Sequence, residues 1–441
     1  MNEITVHAVF DIGKTNKKLF LFDDQGEIVW KTSTSFPTTE DEDGFISDDL
    51  SAIENWMKET MAHLMDPETG TAAWKIKSVN FSGYGASLVY LDENGDRLPL
   101  FINYLKPFPK NLEDRFFENY GPKIQFCQET ASPWLGMLNS GLQIFWLKHD
   151  KPDWFAKVKY VLHFPQYLSY IFSGEPITEY TSIGCHTGMW DYQKEDYHRW
   201  IDGEGLRRLF PALRPSDTWT KSSFQGQPIQ VGAGLHDTSA SLIPYLTSEK
   251  EPFILLSTGT WTLAINPFSD EKLSGEDLQN DCLNNLRING QQVRTARLFL
   301  GREHEIQVTR LSEHYHIEVG DILNLKWDPD THLKAKETEE FAFDFEHLIL
   351  NTKEISTKKE NNPKEWAVAY YQLMGLLVPL QIEAIKRAAG SQYIPRLIIE
   401  GGFVHNEIFI ELLHQGLPDW EVGVSTVKGG SARGVFELVK Q

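Results

Sequence analysis

The chain is poor in sulfur, short of basic side chains relative to acidic ones, and carries no visible targeting segment. Only three cysteines occur, Cys127, Cys185 and Cys282, widely spaced and odd in number. They make no CxxC pair and no zinc spacing, so a disulfide framework is not expected and a reducing, cytoplasmic setting is. No basic stretch followed by an apolar one opens the sequence, so no signal peptide is expected. No apolar run approaches the roughly 18 residues of a membrane span. Lys and Arg number 42 against 62 Asp and Glu, a formal net charge of −20. That argues against a nucleic-acid backbone or an anionic membrane as the main partner, since both need a basic surface. No G-x-G-x-x-G follows a strand, so a nicotinamide cofactor is not suggested. No short tandem repeat is found. What is present is an ordinary globular composition, 41 % hydrophobic and 24 % charged over 441 residues. This is enough for one to three domains with a large core.

Three glycine-bearing segments stand out, each after a run of β-forming residues. Asp11-Ile12-Gly13-Lys14-Thr15-Asn16-Lys17 follows Val6 to Phe10. Ser257-Thr258-Gly259-Thr260-Trp261-Thr262 follows Phe253 to Leu256. Gly401-Gly402-Phe403-Val404-His405-Asn406 follows Leu397 to Glu400. The first two read as small-residue turns able to hold phosphates by backbone N–H groups, the third as a strand-to-helix turn able to lie against a base.

The pattern around them is α/β. Strands are expected at 4–10, 18–22, 28–31, 75–81, 89–91, 229–233, 253–256, 261–265 and 396–400. Leu50, Ile53, Trp56, Met57, Met61 and Leu64 recur at helical spacing, so 48–64 is an amphipathic helix. Trp366 to Ala388 marks a long helix that Pro379 is expected to kink. Shorter helices are expected at 408–414 and 432–439. Residues 101–225 read as helices with loops, 268–345 stays ambiguous, and 350–363 reads as an exposed polar loop. Two halves follow, 1–245 and 246–441, whose strand–glycine–strand openings at 6–22 and 253–265 resemble each other.

Taken alone, each segment has a plain alternative. A P-loop at Gly13-Lys14-Thr15 fails, because Ala8 stands where its first glycine belongs and a strand follows where a helix is required. The first turn is either a simple hairpin or one whose N–H groups, Thr15 and Lys17 meet phosphates while Asp11 meets hydrated Mg²⁺. Asp237, after Gly232, Gly234 and His236, is either a general base at a strand end or only a helix N-cap. Tyr84, Asn103, Trp134, His236 and Asp237 offer the aromatic face and polar edges that bind sugars, though any single aromatic is more often core.

The order of the segments resembles the FGGY family of carbohydrate kinases, over Val6 to Phe436. Asp11-x-Gly13-x-Thr15 is similar to the family's first phosphate motif, and Ser257-Thr258-Gly259-Thr260-Trp261 to its second. Gly234-Leu235-His236-Asp237-Thr238 is similar to the segment carrying the catalytic aspartate. Gly401-Gly402 with Asn406 is similar to the adenosine motif, one glycine short. Asn103-Tyr104-Leu105-Lys106 stands where a Trp-x-Asp-x-Arg-like stretch is usual, and Lys14 replaces a small or hydroxyl residue. The nearest resemblance within the family is to L-rhamnulose kinases, then L-fuculose kinases.

The resemblance implies two ribonuclease-H-like (actin-like ATPase) domains with an interdomain cleft, an N-terminal sugar-binding one and a C-terminal ATP-binding one. It implies ATP and Mg²⁺ as cofactors, with Asp11 on the metal. Gly13, Lys14, Thr15, Asn16, Lys17, Thr258, Gly259, Thr260, Gly401, Gly402 and Asn406 would hold the nucleotide. Asp237 would take the proton of a ketose hydroxyl. The partner would be a small sugar, with no nucleic acid or membrane, and the chain a monomer or homodimer. A catalytically idle sugar or nucleotide sensor of the same fold is the alternative.

Overall fold

The computed structural model describes residues 4–66, 74–339, 341–345, 348 and 363–440. The polar run expected as a loop, 350–363, lies outside these except for Pro363. The chain forms two compact units, Met1–Ser248 with Asn284–Gln292 and Val427–Gln441, and Glu249–Leu283 with Val293–Thr426. The expected halves were one continuous cut, whereas the first unit takes back a short central segment and the C-terminal one.

The first unit is built on a seven-stranded mixed sheet. Its path runs 219–224, 227–232, 74–83, 4–12, 17–23, 28–34, and Leu235–His236 also pairs with 74–83. Strand Ile4–Ile12 is antiparallel to Lys17–Asp23 and parallel to Trp74–Gly83. Val6, Ala8, Val9, Phe10 and Ile12 are all buried, so this central strand is covered on both faces. Phe10 stacks on Phe81 and Phe172, each at 6.0 Å. Burying one such side chain contributes about 1.5–3 kcal/mol. Helix Leu50–Met65 lays Ile53, Met57, Met61 and Leu64 on the core, and the Asp49 carboxylate caps it by accepting from the Ala52 amide.

The second unit carries a six-stranded sheet in the order 282–286, 292–298, 262–266, 254–258, 396–401, 421–424. Strand Ile254–Thr258 is antiparallel to Thr262–Asn266 and parallel to Arg396–Gly401. The two sheets thus repeat one plan. A central strand makes a hairpin through a glycine turn on one side and receives a later parallel strand on the other. This is the α/β, ribonuclease-H-like architecture expected. Helix Trp366–Ala389 is, among the described residues, the one long and apolar enough to cross a membrane, but 72 % of its apolar window is buried inside this unit, as in a core helix. Pro379 lies within it.

The ambiguous stretch 268–345 resolves into helices Gly275–Gln279, Leu300–Tyr315, Val319–Leu323 and Pro329–Glu337 and two strands. Helix Leu300–Tyr315 gave no clear period because its buried face includes Glu303, His304 and Gln307 as well as Leu300, Val308 and Leu311.

Candidate active site

Two places in the fold gather the residues singled out above, one in each unit. In the first unit, Asp237 is the first residue of helix Asp237–Ser248. Its Oδ1 accepts from the Thr238 amide at 2.6 Å and the Thr238 hydroxyl at 3.3 Å, and lies 3.2 Å from His236 Nε2. Among the described residues Oδ2 accepts no hydrogen bond, and the side chain is 36 % exposed. One oxygen is therefore fixed and the other is open, which is what a positioned base needs.

The segment that carries Asp237 is tied residue by residue. Asn80 Oδ1 accepts from the Gly234 amide, Gln166 Nε2 donates to the Gly234 carbonyl, and Thr181 Oγ1 accepts from the His236 amide. Behind Gln166 and Thr181 stands the fully buried Glu179. Its carboxylate accepts from the Thr181 amide and hydroxyl, the Ser182 amide, the Ser216 hydroxyl at 2.5 Å and Gln166 Nε2. His236 is itself buried, with Nε2 3.0 Å from Cys185 Sγ. Burial lowers its pKa, and the Asp237 and Glu179 charges oppose that.

Asp11 ends the central strand and its Oδ1 accepts from Ser431 Oγ at 2.7 Å. Burial raises its pKa, the Ser431 hydroxyl opposes this, and the Asp237 charge adds to it. The two carboxylates therefore feel each other. The turn after it closes by a bond from the Gly13 amide to the Asn16 carbonyl at 3.0 Å, leaving Thr15 and Asn16 exposed. Lys17 is buried, and its ammonium donates to the Lys14 carbonyl at 2.8 Å. Burial lowers its pKa. Ser431 was not found from the sequence. It reaches Asp11 because the last helix, Gly430–Glu437, packs on Asp237–Ser248. There a Cβ on Gly434 would lie 1.8 Å from the Ala240 carbonyl oxygen, so only glycine allows the approach.

Lys14 does not stay with the phosphate turn. Its ammonium lies 2.6 Å from Asp48 Oδ2 and over the rings of Tyr84 and Tyr104, at 5.3 and 5.0 Å. The Tyr84 hydroxyl donates to the same Asp48 oxygen at 2.5 Å. Burial first, then the Asp48 charge, raises the pKa of Tyr84 well above the usual phenol range. Tyr104 is raised by burial and then by Asp48 and Asp237, which puts it in the field of both. Asn103 is buried, donating to the Ile46 carbonyl and accepting from the Leu105 amide, so it anchors the loop that carries Asp48. Trp134 sits in an aromatic cluster with Phe108, Phe116, Phe117 and Phe126, and no contact joins it to Asp237 among the described residues. Asp48 escaped the sequence reading, and Tyr104 entered it only as part of the Asn103–Lys106 stretch. Asp48 stands beside the cap Asp49, and nothing local separates the two roles.

In the second unit a cavity of about 470 Å³ brings together Thr258, Gly259, Thr260, Gly402 and Asn406. It also takes in His405 of the third glycine segment, and Gly301, His304, Glu305, Leu323 and Asn324, which the sequence did not single out. Thr258 is buried, and its hydroxyl donates to the Glu400 carbonyl and accepts from the Phe403 amide. It stitches the two glycine turns together. Asn406 caps helix Glu407–Gly416 through the Phe409 amide, while Nδ2 donates to the Tyr370 hydroxyl. His304 Nε2 meets that hydroxyl at 3.0 Å, and burial pushes its pKa down to about 4. Gly401 has φ 89°, and a Cβ there would lie 2.0 Å from the Thr258 carbonyl oxygen. A Cβ on Gly402 would meet nothing nearer than 3.9 Å, and one on Gly259 nothing nearer than 3.7 Å. Those two positions are bare toward the cavity.

ATP fits this second site by size and by the bare glycine backbone that phosphates and a flat base can approach. Among the described residues no group of three His, Cys, Asp or Glu is arranged to hold a metal ion alone. Mg²⁺ fits only in its usual manner, keeping waters and held by one carboxylate together with phosphates. Asp11 is the carboxylate suited to it.

The model of the FGGY N-terminal domain matches residues 6–243, and that of the FGGY C-terminal domain matches 250–323. The chain belongs to the FGGY family of carbohydrate kinases. A rhamnulokinase of Yersinia pestis (strain Pestoides F) is 26 % identical over 230 residues, covering 49 % of this chain and 44 % of the relative. The chain thus matches less than half the length of that curated relative. Among solved structures, a carbohydrate kinase from Novosphingobium aromaticivorans superposes with a TM-score of 0.80 at 22 % identity, covering 99 % of this chain and 92 % of the other. A ligand-bound xylulose kinase from Lactobacillus acidophilus gives 0.76 at 14 % identity, covering 99 % and 89 %. At such identity these likenesses speak for the FGGY fold alone.

Proposed function

We propose that this FGGY protein transfers the terminal phosphoryl group of ATP to a hydroxyl of a small sugar, a ketose such as L-rhamnulose or L-fuculose. The observation that carries the reading is the Asp237 carboxylate, one oxygen fixed by Thr238 and His236 and the other open. Bound MgATP supplies the phosphoryl group and much of the charge neutralisation. Asp237 Oδ2 accepts the proton of the sugar hydroxyl as that oxygen attacks phosphorus. Exposed Thr15 and Asn16 would donate to phosphate oxygens, as would the Thr260 backbone, while the Gly13 and Gly259 amides close their own turns on the Asn16 and Trp261 carbonyls. Asp11, tied by Ser431, would be the carboxylate that holds Mg²⁺. Aligning these groups contributes most of the rate, because phosphoryl transfer leaves little covalent work to the protein. A cytoplasmic setting belongs to the same reading, in keeping with three buried cysteines that form no disulfide.

The test is ADP release by the purified chain with L-rhamnulose, L-fuculose, L-ribulose, D-xylulose and glycerol. At least one ketose should stimulate release. Asp237→Asn should cut kcat by about 10²–10⁴-fold while calorimetric ATP binding stays as in wild type. Near-normal turnover in that variant removes Asp237 from the role. No release with any of these acceptors turns the reading toward a sensor.

A further inference from the structure

Lys14 was expected to add charge to the phosphate site, yet every group that holds its ammonium lies elsewhere. Asp48, Tyr84 and Tyr104 surround it. We propose that Lys14 and Asp48, flanked by Tyr84 and Tyr104, form a clamp that reads two neighbouring hydroxyls of the sugar beside Asp237. This rests on the sugar-kinase reading above and adds to it the residues that choose the acceptor.

The chemistry of the pair suits a diol. Asp48 is 9 % exposed, and its Oδ2 takes both the ammonium and the Tyr84 hydroxyl. Among the described residues its Oδ1 accepts nothing. That oxygen is not sealed from solvent, so a sugar hydroxyl can take the place of water on it. Lys14 gives one ammonium proton to Asp48, which leaves others for a second hydroxyl oxygen. Its side chain is 33 % exposed, so a ligand can reach it. Tyr104 links this pair to the reaction centre, since it feels the charges of both Asp48 and Asp237. The pair also sets the charge of the acceptor. Lys14 is paired with Asp48, Lys17 also lies in the field of Asp48, and Asp11 and Asp237 are carboxylates. A sugar acid would bring its charge among three carboxylates, whereas a neutral polyol finds one donor and one acceptor side by side. Asn103 enters as a positioning residue, because it holds the Ile46 carbonyl two residues before Asp48.

The experiment uses the full chain with Lys14→Met, Lys14→Arg, Asp48→Asn and the Lys14→Met/Asp48→Asn double variant. ADP release is measured against ketose at saturating MgATP, then against ATP at saturating ketose, with D-gluconate as the acidic probe. Melting temperature is recorded for each. Lys14→Met should raise the KM for ketose by about tenfold or more, the loss expected for one charge-assisted hydrogen bond. The KM for ATP should stay within about twofold, and Lys14→Arg should recover part of the loss. The double variant should lose less than the product of the singles, since the two act as a unit. Asp48→Asn, with the ammonium uncompensated, should raise the gluconate-to-ketose ratio of kcat/KM.

A rise in the KM for ATP alone returns Lys14 to the phosphate site and overturns the clamp. A fall in melting temperature with both KM values unchanged makes the pair structural and overturns it too. If wild type releases no ADP with any acceptor, the kinase reading fails, and ketose binding by calorimetry decides the clamp. Binding lost in Lys14→Met supports it, and absence of binding by wild type overturns it.

Discussion

A single buried carboxylate shows how far from the chemistry a residue can act. Glu179 touches no substrate in the proposed reaction. It holds Thr181 and Gln166, and these hold the His236 amide and the Gly234 carbonyl. Glu179→Gln keeps the shape but turns an all-accepting group into one with two donors. Whichever oxygen the nitrogen replaces, its donors would face either the Thr181 or the Ser182 amide, itself a donor. We expect a cost of about 2–4 kcal/mol in stability. We also expect kcat to fall about tenfold, with the KM for ATP unchanged, because Asp237 loses its fixed aim. Stability and turnover measured well below the melting transition check this. A variant that melts earlier but keeps wild-type kcat breaks the link from Glu179 to the base.

At the scale of the element, two adjacent glycines at the end of strand Arg396–Gly401 do different work. Gly401 sits at positive φ against the Thr258 carbonyl, so it is needed for the turn itself. Gly402 has ordinary space around a would-be Cβ and lines the cavity. Gly401→Ala should therefore destabilise the second unit by several kcal/mol, from positive-φ strain plus a backbone clash. Gly402→Ala should leave the melting temperature nearly unchanged and raise the KM for ATP by about threefold to tenfold, because the methyl intrudes where the nucleotide lies. Equal melting losses in the two variants would falsify the division. In the sequence the two are one dipeptide, and only the register of the strand against Ile254–Thr258 separates them.

Across the whole molecule, buried histidines set the response to acid. Burial holds His163 down to about 3 and His304 down to about 4, and it also lowers His236 and His198. Each folded-state pKa lies below the unfolded value of roughly 6.5. Above that pH both states are neutral and nothing changes. As pH falls from about 6.5 toward 4, the unfolded chain binds protons that the folded one refuses, so stability drops. Each fully buried ring adds a slope of up to about 1.4 kcal/mol per pH unit. The urea midpoint should be flat from pH 8 to 6.5 and fall steeply below. His163→Phe should make the fall shallower, since its Nε2 has no partner to lose among the described residues. A midpoint that holds level down to pH 5 removes the histidines from this account.

By itself the sequence determined what is written locally. Strands, glycine turns, the amphipathic helix and the Asp237 segment are all carried by short-range pattern, because backbone sterics and side-chain period act over a few residues. It also carried the repeated opening of the two halves, which became two sheets of one plan. Tertiary structure decided what depends on partners far along the chain. Ser431 meets Asp11 across 420 positions, and the Lys14 ammonium meets Asp48 across 34, between two tyrosine faces. Helix Leu300–Tyr315 buries a polar face that no period could reveal, since His304 meets Tyr370 and Gln307 Nε2 meets the Asp344 carbonyl only once the fold brings them there.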